Sequence, residues 1–133
     1  MLVSDTRILL KDNWSQPIFD VIENDLVRND KGDFSRVVQK EKSFTASLLV
    51  ITADNGYSIC VSAPQKFKAF VNNEIIWKGV EDIEVGDILA IESNTNYRKV
   101  RDIIKQTFCP KIHVYNLKIY PGFGFIANKF IVG

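Results

Sequence analysis

Short runs of β-branched and aromatic residues alternate with polar ones along the chain and are separated by turn residues. Residues 58–62, 66–71, 87–91 and 113–120 are such runs, and a period of two broken by turn signals predicts strands. Asn55-Gly56 stands between the apolar runs 48–52 and 57–61. It predicts a hairpin with a type I′ turn, because both residue types accept the positive φ angles that turn needs. Asn72-Asn73, between Phe70 and Ile75, is a second and weaker hairpin signal. No segment keeps a 3.6-residue apolar period over three turns. Residues 100–107, compatible with a short helix in isolation, are read as part of a long strand. The predicted class is all-β, with little or no helix.

Inside this pattern a phrase repeats. PIFDVIENDLV at 17–27 aligns without a gap on GVEDIEVGDIL at 79–89. Ile18, Asp20, Val21, Asp25, Leu26 and Val27 pair with Val80, Asp82, Ile83, Asp87, Ile88 and Leu89. Each copy reads as an apolar tight turn, a polar-Asp pair and a strand, with the aspartate capping backbone N–H groups where the chain changes direction. This suggests a duplicated unit, with Asp25 and Asp87 as turn caps.

Composition narrows the function classes. A chain of 133 residues with 46% hydrophobic content is sized for one domain, 1–133, that buries roughly two-thirds of its unfolded surface. The formal charge of +1 provides no global field for polyanions or anionic lipid, so neither nucleic acid nor a membrane is an expected partner. The apolar runs fall far short of the roughly 20 residues that span a bilayer. Asp5, Arg7, Lys11 and Asp12 break up any secretory signal in the first fifteen residues, which leaves a cytoplasmic location as the expectation. Cys60, Cys109 and His113 are too few for a disulfide scaffold or a four-ligand zinc site, so no metal or cofactor is expected. His113 reads as a structural or surface imidazole.

Four blocks, in order, resemble the Hint domain of inteins and hedgehog proteins, a self-cleaving module built from two pseudo-symmetric halves. The first, MLVSDTRILLKDNWSQPIFDV, resembles the family opening in which a cysteine or serine stands five positions before a threonine; Met1 occupies the nucleophile's place. The second, NGYSICVSAPQKF, resembles the Thr-x-x-His block that activates the N-terminal scissile amide, with Ser62 for the threonine and Gln65 for the histidine. The third, IIWKGVEDIEVGDILAIE, matches a Trp-x-x-x-x-x-Leu-x-x-Gly-Asp segment through Trp77, Ile83, Gly86 and Asp87. The fourth, VYNLKIYPGFGFIANKFIVG, resembles Val-Tyr-Asp-Leu-x-Val followed by Phe-x-Ala-Asn-Gly-x-x-x-His-Asn. In it Asn116 replaces the aspartate and Gly133 the histidine.

The resemblance implies autocatalytic peptide-bond chemistry, and the residues depart from it where that chemistry is done. A splicing nucleophile must be a hydroxyl or thiol, and the Met1 thioether has no proton to lose. The family histidines give protons to departing amide nitrogens, as a group titrating near neutrality can; Gln65 and Gly133 cannot. Met1, Ser62, Gln65, Asn116 and Gly133 are therefore relic positions, and none is a confident catalytic residue. Cys60 and Cys109 are both weighed as residual nucleophiles, with Cys60 preferred because alternation places it on the same face as Ser62. Residues 92–112 are too few for a homing endonuclease. The strip Arg98, Lys99, Arg101, Lys105 and Lys111, near Tyr97 and Phe108, reads as a solvated face.

Three readings remain open. One is a degenerate Hint domain, not an enzyme as it stands, kept as a structural or interaction module of a host protein in cis or of an assembly. The second is an autoprocessing element whose nucleophiles have been replaced or trimmed. The third is a small nucleic-acid-binding β-barrel.

Overall fold

The computed structural model describes residues 1–93 and 95–133. Twelve strands follow in chain order: β1 (Leu2–Val3), β2 (Arg7–Leu9), β3 (Ser15–Pro17), β4 (Leu26–Arg28), β5 (Phe34–Ala53), β6 (Ser58–Val61), β7 (Lys66–Val71), β8 (Glu74–Gly79), β9 (Ile88–Ala90), β10 (Tyr97–Tyr120), β11 (Phe125–Ala127) and β12 (Phe130–Val132). The helical elements among the described residues are single 3₁₀ turns at Ile18–Asp20 and Val80–Asp82. The chain is all-β, and the segment with a possible helical reading lies inside the 24-residue β10.

Hydrogen bonds join the strands antiparallel along β3-β2-β11-β12-β7-β9-β10-β1-β6-β5-β4, with β8 on the other side of β7. The backbone of this arrangement is the β5–β10 ribbon, which runs from Val100↔Ala53 to Tyr120↔Arg36 with three register shifts. Near one end β10 pairs with β9, and near the other with β1, so one strand serves both halves. Alternation along the strands drives Leu2, Ile8, Ile51, Phe67, Phe125 and Phe130 into one core, where all are fully buried.

The repeat is reproduced bond for bond. Val21 N–H donates to the Ile18 carbonyl at 3.1 Å and Ile83 N–H to that of Val80 at 3.2 Å. Asp25 Oδ2 accepts from Ile22 N–H at 3.0 Å, and Asp87 Oδ2 from Glu84 N–H at 2.9 Å. The Asp25 and Asp87 carbonyls accept from Val37 (2.9 Å) and Val100 (2.8 Å), while Asn24 and Gly86, both at positive φ, donate back to those residues. Each phrase thus fastens a 3₁₀ turn to one of the long strands β5 and β10. Both aspartates are backbone caps.

Burial alone would raise the Asp87 carboxyl. Hydrogen bonds from Lys78 and the Glu84 N–H, with the Lys78 charge, outweigh it and hold the carboxyl below its ordinary 3.8. A depressed folded pKa contributes stability that is present above the unfolded value and lost as pH falls through the folded one. Asp87→Asn keeps the cap acceptor but removes the charge, so it should flatten the loss of stability as pH falls from about 5 to about 2. Urea unfolding across that range checks this, and parallel acid limbs in the two proteins would refute it.

Both hairpins form, but the type I′ turn expected at Asn55-Gly56 is not found there. At Asn55-Gly56 only Gly56 is left-handed (φ +92°). Gly56 N–H donates to the Ala53 carbonyl and Ala53 N–H to that of Tyr57, so the loop is a type I turn with a glycine bulge. The type I′ turn is at Asn72 (φ +51°) and Asn73 (φ +64°), between β7 and β8. The difference is one of loop length: Asn72-Asn73 is the whole two-residue connection, whereas Asp54-Asn55-Gly56 has an extra residue to accommodate.

Candidate functional site

Residue 1 precedes β1 and pairs with the residue that follows β6. The Met1 nitrogen donates to the Ser62 carbonyl at 2.7 Å, and Ser62 N–H returns a bond to the Met1 carbonyl at 2.8 Å. Burial lowers the Met1 amine to about 5, with the Glu81 carboxylate pulling weakly the other way. Ser62 then starts a turn closed by Gln65 N–H on its carbonyl at 3.1 Å. Gln65 is itself tied to the second half of the molecule, since its carbonyl accepts from Val80 N–H at 2.8 Å.

At the start of β7, Lys66 and Gly133 exchange backbone hydrogen bonds at 3.2 and 3.0 Å. Gln65 Nε2 adds a third bond, 2.9 Å to the Gly133 carbonyl. One continuous set of hydrogen bonds therefore joins Met1, Ser62, Gln65 and Gly133. Ser62 and Gln65 are 6% and 3% exposed, and Gln65 Oε1 is buried without a partner. Asn116, on β10 opposite Glu41, also buries an unpartnered Oδ1. It shares the lining of a 500 Å³ groove with Gly133 and Phe123. All five positions singled out in the sequence thus lie in one region of the fold.

Neither Gln65 nor Gly133 can pass a proton to a departing amine near neutral pH, because a carboxamide does not titrate there and glycine has no side chain. Gln65 instead acts as a neutral donor holding a carbonyl. Cys60 faces Val50 across the β5–β6 ladder and is half-buried. Burial first, and then the Asp5 charge, push its thiol above the ordinary range, so the thiolate needed for attack is disfavoured.

Trp77 belongs to the third block, but neither its contact with Phe123 nor the ion pair behind it has a motif to announce it. The Trp77 and Phe123 rings lie 4.5 Å apart and cover the Gly133 end. A Cβ on Gly133 would come within 2.5 Å of Phe123 Cδ2 and 3.2 Å of Trp77 Cζ3, so a histidine there would require the rings to move. Trp77 is half-buried, packed against a small satellite cluster rather than in the main core. Behind it Lys68 Nζ makes a largely buried ion pair with Asp30 Oδ2 at 2.8 Å and lies 5.7 Å from the Trp77 ring centroid. The strip Arg98, Lys99, Arg101, Lys105 and Lys111 stands exposed along β10, with Arg101 paired to Asp102 at 3.3 Å.

Comparison with solved structures identifies this architecture. The intein-like domain of Clostridium thermocellum superposes with a TM-score of 0.84 at 18% identity, covering 98% of this chain and 95% of that one. A DnaB intein from Synechocystis gives 0.85 at 16% identity, covering 98% and 95%. The chain has the Hint fold. The gp41-1 intein is also similar, with a TM-score of 0.81 at 18% identity over 98% of this chain and 94% of that one. No protein-family model and no curated protein matches the sequence. Among the described residues no helix of this Hint fold is long and apolar enough to cross a membrane.

Proposed function

We propose that this chain is a single Hint domain, 1–133, without an endonuclease insertion. In this reading it has lost protein splicing and serves as a structural or interaction module of a host protein in cis. The observation that carries the proposal is the content of the site: where splicing needs a nucleophile and two proton donors, the linked positions hold Met1, Gln65 and Gly133. The Gln65 amide ties the Gly133 carbonyl down, and the Trp77–Phe123 pair fills the space a side chain at 133 would take. The raised Cys60 thiol is a poor substitute nucleophile.

The reading is tested by placing the chain between two unrelated tagged domains and incubating the fusion with and without dithiothreitol. Intact mass should remain that of the full fusion in both. Release of either tag, or ligation of the two flanking domains, would overturn the proposal in favour of an autoprocessing element.

A further inference from the structure

A second cavity lies away from the relic site and shares no residue with it. It measures about 530 Å³, within the usual range for small-molecule sites, and is lined among others by Leu9, Ile126, Tyr57, Arg7, Lys129 and Glu92. We propose that this cavity binds a small apolar carboxylate, its hydrocarbon body on Leu9, Ile126 and Tyr57 and its carboxylate between Arg7 and Lys129.

The walls come from three separate turns that are stapled together. Asn128 Oδ1 accepts from Arg7 N–H at 2.7 Å, Asn128 N–H donates to the Arg7 carbonyl at 2.8 Å, and Asn128 Nδ2 donates to the Ser58 carbonyl at 3.3 Å. One side chain thus fixes the β11–β12 turn to β2 and to β6, leaving little for a ligand to reorganise. Arg7 is held by one edge, Nε on Ser15 Oγ at 3.2 Å and Nη2 on the Ser15 carbonyl at 2.6 Å. Among the described residues Arg7 Nη1 has no hydrogen-bond partner, and neither Arg7 nor Lys129 has a carboxylate in ion-pair range. Two cations and one carboxylate, Glu92, line the cavity.

Backbone strain gathers at the same place. Lys129 (φ +77°), Asn128 (φ +47°) and Glu92 (φ +65°) are all left-handed non-glycine residues, and Glu92 N–H donates to the Lys129 carbonyl at 2.6 Å. Position 129 is where the tail pattern quoted above has glycine, the residue that takes this conformation without strain. Asn128-Lys129 is the whole two-residue connection between β11 and β12, so the hairpin imposes the left-handed φ on Lys129 and fixes that lysine in the cavity lining.

The test is a ¹H–¹⁵N NMR titration of the full chain with sodium octanoate and, separately, with neutral octanamide. Saturable shifts are expected at Leu9, Tyr57, Ile126 and Lys129, with the carboxylate bound about tenfold more tightly than the amide. Lys129→Glu should abolish that preference. Lys129→Gly should weaken octanoate binding about threefold while raising Tm, because it removes both the charge and the strain. Equal binding of acid and amide, absence of saturable shifts, shifts centred on the exposed Phe19 and Phe123, or an unchanged preference in Lys129→Glu would each overturn the proposal.

Discussion

Phe67→Ala should lower the stability of this domain by about 4 kcal/mol, the cost of a large cavity in a core that cannot collapse around it. Phe67 is fully buried and meets Phe130 edge-on, with ring centroids 5.9 Å apart. It sits on β7, the strand that pairs with β8, β9 and β12, so the cavity would open where three pairings converge. In urea the midpoint should drop with little change in slope, and Tm should fall by about 15 °C. Ile75→Ala, on the outer strand β8 where the side chain is 46% exposed, should stay within about 0.5 kcal/mol. A Phe67→Ala loss below about 1 kcal/mol would mean that the core is not where the fold places it.

Lys68→Met is expected to cost about 3 kcal/mol, because it leaves the Asp30 carboxylate in a largely buried position without its partner. The pair is 2.8 Å apart, and each side chain is about one-tenth exposed (10% and 11%). Asp30 also anchors the segment next to the rings, its N–H donating to the Gly124 carbonyl at 3.0 Å. A Cβ on Gly124 would be 2.7 Å from Trp77 Cη2. Loss of the pair should therefore loosen the Trp77–Phe123 cover, visible as a red shift in tryptophan emission. Adding Asp30→Asn to Lys68→Met should restore most of the loss, since the stranded charge is what costs stability. If the double variant is as unstable as the single one, the stranded-charge argument is wrong.

What was legible in the sequence follows the range over which each signal acts. The repeated phrase was readable because its two copies are local: Asp25 caps a residue three positions back, as does Asp87. The long strand was readable because the helical spacing of Val100, Ile103 and Ile104 is not sustained over three turns. The turn type at Asn55-Gly56 was misjudged because Asn-Gly expresses a preference, whereas the number of residues between paired strands decides which turn forms. At the site, the motif positions predicted which residues would meet, and Met1, Ser62, Gln65 and Gly133 do meet. The tie from Gln65 to Gly133 spans 68 positions and the Lys68–Asp30 pair 38. The Trp77–Phe123 cover likewise joins distant strands. No local pattern encodes such pairs, so they emerge only once the sheet has formed.

The central claim is that the splicing site keeps its geometry while its reactive groups are gone. It is tested most directly by restoring only those groups at the upstream end, Met1→Cys with Gln65→His, in a fusion with an N-terminal tagged domain. Tag release in dithiothreitol is then measured by intact mass beside the unaltered chain. The account predicts thiol-dependent release from the restored fusion and none from the parent. Release from the parent would show that chemistry was never lost, and no release from either would show that the geometry was not kept.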